Sequence, residues 1–262
     1  MAEFYNITQE EVKFILAQAN NCREIAVFNG YNLSNIDFSN MEITGVRFIC
    51  NDLSGTNFDN ATLKDCYFVG NKMYKTSFNS SELNNLFFKD CKLENVSFLH
   101  ANIYGSDFMT ELVNTRFDSA TIDVTCFGRS TIRNSNFSNA VIKASDFSQT
   151  DISNTSFRDT EILKDTYFEF TKFGEGIIGL EVYCVSKNGY PTNYLPSIDM
   201  LYHSIGYYPE IYVGNLSGFE KFVENMAEGS MKEESKAVYQ YFKVMENSFN
   251  SNEKGEWKIL NK

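Results

Sequence analysis

Chemistry needs reactive side chains held close together, and in this 262-residue chain few of them are grouped. His100 and His203 stand alone, and each reads as solvated or structural rather than catalytic. The six cysteines (Cys22, Cys50, Cys66, Cys91, Cys126 and Cys184) form no CxxC pair and no pairing with histidine. That spacing suits neither a zinc site nor a disulfide framework, so reduced thiols in a cytoplasmic protein are expected. No GxGxxG, Walker loop, GxSxG or HExxH occurs. No catalytic residue, cofactor site or metal site is therefore expected. Lys72, Lys75, Lys89 and Lys92 crowd into a small basic spot. The net charge of −11 nevertheless argues against bare nucleic acid or an anionic membrane as partner. A protein that itself grips nucleic acid stays open as a partner. The first twenty residues lack a basic, apolar leader pattern, and no stretch approaches the ~18 apolar residues of a membrane-spanning helix.

The elements that must position any site have an unusual period. From Phe28 an apolar residue recurs every fifth position to Phe108, then from Leu112 to Ile162, and closes with Phe168 and Phe173. One residue is missing between Phe108 and Leu112, and one is extra after Ile162. All 30 central positions are apolar, and 16 are Phe. Two residues before the centre, 24 of the 30 are Ala, Ser, Thr, Cys or Val. Neither 3.6 nor 2 divides five, so a plain helix or strand cannot use this pattern. A short segment that turns a corner can: the centre points inward, and a small residue beside the corner also points inward. The residue two after the centre then needs φ > 0, which Gly, Asn and Asp tolerate. Gly30, Asn35, Asn40, Gly45, Gly55 and Asn60 begin that series, and Asn154 and Asp159 end it. Cys66, Cys91 and Cys126 are assigned to the small inward slot as packing residues. All three prolines lie outside the run.

The segments "ANIYG", "TNFDN", "SDFSQ" and "TDISN" resemble the A(D/N)Lxx motif of the pentapeptide repeat family. The resemblance covers about residues 26–173. It implies an all-β solenoid, a right-handed quadrilateral parallel β-helix of about seven coils with four pentapeptides per coil. Residues 20 apart then stack. Phe48, Phe68, Phe88 and Phe108 form one column, and Phe58, Phe78 and Phe98 form another on the opposed side. Leu53, Met73 and Leu93, and Leu63, Leu83 and Ile103, fill the walls between. Asn51 and Asn71 fall in one column, where their amides can bond along the axis.

A solenoid end exposes unpaired backbone, so caps are expected. Thr8 and Glu11 make a capping box, and Val12, Ile15, Leu16 and Ala19 share one face, which predicts a helix over 8–21. Tyr31, Ile36 and Met41 sit where small residues belong, as though the first coil opens against this lid. Beyond Phe173 a small α+β domain is expected. "GIIGLEVYCVSKNG" reads as a strand ending in an Asn188-Gly189 turn, and "EIYV" as another. Ser217 would cap one helix carrying Phe219, Phe222, Val223 and Met226, and Val238, Tyr241, Phe242, Met245 and Phe249 mark a second. The domains are then 1–25, a capping helix; 26–173, the β-helix; and 174–262, a capping or interaction domain.

The function this supports is a non-catalytic scaffold that docks an unidentified protein partner. A homodimer through the C-terminal domain fits the same reading. The resemblance implies an alternative: a DNA mimic that binds a type II topoisomerase such as DNA gyrase and protects it from inhibitors. Charge density weighs against that alternative. Residues 31–173 hold 18 Asp and Glu against 13 Lys and Arg, a net of −5. Duplex DNA of the same ~35 Å length would carry ~20 negative charges.

Overall fold

The computed structural model describes residues 4–163, 166–168, 171–172, 177, 179, 183–187, 190–195, 200–205, 208–214, 216–226 and 230–249. The chain divides into two compact units, Met1–Gly179 and Leu180–Lys262.

The first unit is a parallel β-solenoid of about seven turns. Its register is set by the repeat: Phe28 pairs with Phe48, Phe48 with Phe68, Phe68 with Phe88, and Phe88 with Phe108. A turn is thus 20 residues, and each turn contributes one short segment to each of four walls. The first wall is centred on the Phe28 column, the second on Leu33, the third on Phe38 and the fourth on Ile43. The fourth wall is a seven-stranded sheet running from Glu42–Thr44 to Glu161–Ile162.

Corners form where the pattern requires them. From Gly30 to Gly105, and again from Asn114 to Asp159, every fifth residue has a left-handed φ. Besides Gly, Asn and Asp, the series includes Cys50, Lys75, His100 and Val124. The missing residue is a corner residue. Strand Asp107–Val113 runs straight from the first wall into the second, and beneath it strand Phe87–Glu94 keeps its corner at Asp90, φ 53°. The register accordingly slips between Lys89 and Lys92. Thr110 fills the inward slot, its hydroxyl donating to the Cys91 carbonyl at 2.5 Å.

The core is two phenyl columns facing each other. Along the first wall the rings of Phe28, Phe48, Phe68, Phe88, Phe108, Phe127, Phe147 and Phe168 stack in near-parallel steps of 4.7–5.5 Å. On the third wall Phe38 through Phe157 stack in the same way. Across the hollow the columns meet edge to face, as between Phe78 and Phe88 at 6.2 Å and 88°. Offset stacks and edge contacts are the geometries the ring quadrupole favours. Each fully buried ring contributes ~1.5–3 kcal/mol. In the small slot, Asn51 donates from its amide to Asn71 Oδ1 at 3.1 Å and to the Phe28 carbonyl at 2.9 Å. Asn71 donates to the Phe48 carbonyl at 2.7 Å. The buried amides thus bond along the axis, as the sequence predicts.

Helix α1 spans Gln9–Cys22, and Thr8 and Glu11 form the full capping box. Val12 and Leu16 are its buried face. Two substitutes for a preceding coil satisfy the first turn's backbone. Tyr5–Asn6 pairs in parallel with Tyr31–Asn32 on the second wall. On the third wall the Gln9 side-chain amide donates to the Asp37 carbonyl at 2.7 Å and accepts from its N–H at 2.8 Å, as a peptide group would. Met41 lines a cleft of about 210 Å³ between α1 and the fourth wall, together with Leu16, Ala26, Ile43 and Val46.

The second unit has a four-stranded antiparallel sheet in sequence order: Tyr183–Lys187, Tyr190–Leu195, Met200–Ile205 and Tyr208–Gly214. The Asn188-Gly189 turn lies outside the described residues. Helices α2 (Leu216–Asn225) and α3 (Ser230–Phe249) follow. Ser217 falls in the first turn of α2, which begins at Leu216. Phe219, Val223, Val238, Tyr239 and Phe242 form the buried cluster, with Phe222 and Met226 against it. The side chains of Tyr241, Met245 and Phe249 lie outside the described residues.

Candidate protein-interaction face

In every wall segment the centre faces in, so the residues just before and after it face out. This alternation decides what each wall shows to solvent. On the third wall the outward residues are mostly Ser, Asn and Asp, and they bond to one another. Asn57 donates to Asp37 Oδ1 at 3.1 Å, the Ser77 hydroxyl donates to Asp59, and Asn79 Oδ1 accepts from the Leu99 N–H at 3.0 Å. The second and fourth walls carry charges paired between neighbouring coils. Lys72 meets Asp52 at 3.1 Å, Lys143 meets Asp123 at 3.3 Å, and Asp151 holds Arg133 at 2.7 Å and Lys172 at 3.1 Å. Burial would raise the Asp151 carboxyl, but hydrogen bonds from Ser153, Arg133 and Lys172 outweigh it and hold it well below the usual carboxylate range.

The first wall differs. Its two outward ladders read Val27, Arg47, Tyr67, Phe87, Asp107, Cys126, Asp146, Tyr167 and Asn29, Ile49, Val69, Lys89, Met109, Gly128, Ser148. Val27, Tyr67, Met109 and Tyr167 are among the exposed large apolar residues. Tyr67 and Phe87 lie side by side with ring centroids 5.9 Å apart, and the Arg47 guanidinium sits 5.9 Å over the Tyr67 ring. An apolar and aromatic strip thus runs up one flat wall, where the other three walls show mainly polar groups.

Above the strip lies a notch. Gly128 is buried, and a Cβ there would stand 3.3 Å from Asp146 Oδ2 and 3.4 Å from Cys126 Sγ. Any larger residue would crowd both. Among the described residues Asp107 Oδ1 is buried without a hydrogen-bond partner, and burial raises its carboxyl above the usual value. Burial also pushes up the Cys126 thiol, with Asp107 and Asp146 adding to the effect.

The residues singled out in the sequence fall as follows. Cys66 and Cys91 occupy the inward slot, buried, their thiols pushed up to about 11 by burial. Cys126 does not. It precedes Phe127 by one residue rather than two, so it faces outward, and Thr125 fills the slot. His100 is an exposed corner residue with φ 57°, and the side chain of His203 lies outside the described residues. The four lysines do not form one patch. Lys72 and Lys92 are neighbours on the second wall, Lys75 lies 5.2 Å over the Tyr74 ring, and Lys89 belongs to the first wall. Among the described residues no group of three or more His, Cys, Asp or Glu could hold a metal ion. No described helix is long and apolar enough to cross a membrane.

Residues 41–111 match the family described as "Pentapeptide repeat region", and residues 127–159 match "Pentapeptide repeats (8 copies)". The first match ends at the missing corner residue, where the five-residue rhythm slips. No curated protein matches the chain. Among solved structures, full-length QnrB1, a plasmid-mediated fluoroquinolone resistance protein, is similar over 58% of this chain and 93% of its own, at 16% identity and TM-score 0.35. HetL, a pentapeptide repeat protein involved in heterocyst differentiation regulation from the cyanobacterium Nostoc sp. strain PCC 7120, covers 66% of this chain and 99% of its own, at 13% identity and TM-score 0.20. A pentapeptide repeat protein from the Arabidopsis thaliana thylakoid lumen covers 44% and 71%, at 23% identity and TM-score 0.21. The five-residue rhythm and the four walls agree with the two family matches: residues 41–111 and 127–159 of the tube are pentapeptide repeats.

Proposed function

We propose that this protein is a non-catalytic interaction scaffold whose first wall docks a protein partner, with the unit Leu180–Lys262 as a second binding module. The observation that carries this reading is the uneven distribution of outward apolar side chains. Val27, Ile49, Tyr67, Val69, Phe87 and Met109 all stand on one wall. A contiguous apolar patch rimmed by polar residues is the usual mark of an interaction site, and aromatic residues dominate such sites. A flat wall built on stacked rings loses little conformational entropy when it docks.

Duplex mimicry, the alternative that the family resemblance implies, draws less support. It needs a dense net negative charge along the rod, whereas residues 31–173 set 13 Lys and Arg against 18 Asp and Glu, and Asp52, Asp118, Asp123 and Asp151 are each tied to a lysine or arginine. The experiment is affinity capture from native lysate with three full-length baits: the natural chain, Tyr67→Glu with Phe87→Glu, and a third-wall control, Ser97→Glu. A partner held by the first and third baits and lost by the second supports first-wall docking. A partner held equally by all three overturns it. Inhibition of gyrase supercoiling at near-stoichiometric protein would move the reading to mimicry.

A further inference from the structure

The charges of the first wall are sorted along the tube. Asp90 and Arg129 stand at the wall's corners. At the two outward positions beside each centre, its first four coils carry Arg47 and Lys89 and no acid, and the coils above carry Asp107 and Asp146 and no base among the described residues. None of the four forms an ion pair among the described residues, in contrast to the pairs on the other walls. Numbering coils from Phe28, Arg47 is on the second, Lys89 on the fourth, Asp107 on the fifth and Asp146 on the seventh. These positions are symmetric about the gap between the fourth and fifth coils.

From this symmetry we propose that the docking partner of the first wall is a second copy of this chain, packed first wall to first wall with the tube axes antiparallel. The proposal rests on the reading of that wall as a docking face. A two-fold axis lying along the strands between the fourth and fifth coils sets Arg47 over the partner copy's Asp146, and the converse. It brings Lys89 diagonally to Asp107, whose buried Oδ1 has no hydrogen-bond partner among the described residues. It lays the Tyr67 ring over the notch beside Cys126, and Val69 over Gly128 itself. A two-fold axis along the tube would instead bring like charges to the same level, so the charge order selects the antiparallel mode. A wall ~35 Å tall and ~15 Å wide buries about 1,000 Å² in total, the lower end for a specific interface. Area does not fix affinity, so the dimer is sought from about 1 to 100 μM protein.

Sedimentation velocity of the full chain across that range tests this. Two charge-reversed forms are made: Arg47→Glu with Lys89→Glu, and Asp107→Lys with Asp146→Lys. Circular dichroism checks that each folds, and Asp146→Lys alone replaces the second form if it does not. The natural chain should dimerise, each reversed form should associate at least about tenfold more weakly, and an equimolar mixture of the two should dimerise again. A natural chain that stays monomeric, a dimer indifferent to the reversals, or a mixture that stays monomeric overturns the proposal. If the natural chain is monomeric yet captures a different protein that Tyr67→Glu releases, first-wall docking stands and the second copy is excluded as its occupant.

Discussion

Val124 stands at a corner with φ 53° and is half exposed. It is the only β-branched residue among the described left-handed positions. A left-handed backbone costs an L-residue roughly 1–2 kcal/mol, and a branched Cβ puts Val at the upper end. Asn relieves most of that strain because its short polar side chain tolerates the conformation. The replacement forfeits the Val side chain's burial, about half of the ~1.5 kcal/mol expected for full burial. The backbone hydrogen bond from Val124 N–H to the Lys143 carbonyl at 3.1 Å is untouched. Val124→Asn should therefore stabilise the tube by about 0.5–1 kcal/mol. Val124→Gly should gain less, because glycine gives back roughly 0.5–1 kcal/mol of unfolded-chain entropy. The reciprocal change, Asn134→Val at an exposed corner with φ 52°, should cost about 1–2 kcal/mol. Urea denaturation followed by circular dichroism reads both as midpoint shifts at constant slope. If Val124→Asn lowers the midpoint while Asn134→Val leaves it unchanged, the strain argument is wrong.

Asn71→Leu should cost about 2–3 kcal/mol by urea titration, because the buried Asn51 N–H, now 2.8 Å from Asn71 Oδ1, loses its acceptor. Replacing both Asn51 and Asn71 by Thr, which fills the same slot at Thr56 and Thr76, should recover part of that loss. The Asp151 carboxyl is depressed when folded, so its contribution is present above the ordinary carboxylate pKa and fades as pH falls through the folded value. Asp151→Asn should thus destabilise at neutral pH, and its gap from the natural chain should narrow in midpoints measured at progressively lower pH.

The tube was legible because one physical demand repeats: a large apolar centre, a small slot and a left-handed corner every five residues. Phe28 to Phe108 could be followed by counting alone, and so could the Asn51–Asn71 stack. The misplacement of Cys126 shows the limit of that counting. After the lost corner residue the frame shifts by one, and a single position separates an inward slot from an outward wall. The charge order of the first wall was hidden for a different reason. Arg47 and Lys89 cancel Asp107 and Asp146 in any tally of net charge, which erases their order along the axis. Phe87 was overshadowed by Phe88, since both match a search for apolar residues while only the second obeys the period. In the second unit no repeat constrains the strands, and the start of α2 at Leu216 had no signal stronger than the serine beside it.

Phe87 and Phe88 are adjacent in sequence and opposite in fate, so alanine substitution of each tests the central claim most directly. Phe88 is fully buried, stacked at 4.8 Å on both Phe68 and Phe108, and edge-on to Phe78 and Phe98. Urea denaturation should show Phe88→Ala losing about 3–5 kcal/mol. Phe87→Ala should lose less than about 1 kcal/mol. Equal losses at the two positions, or a larger loss at Phe87, would contradict a tube that keeps one ring inside and offers the next to a partner.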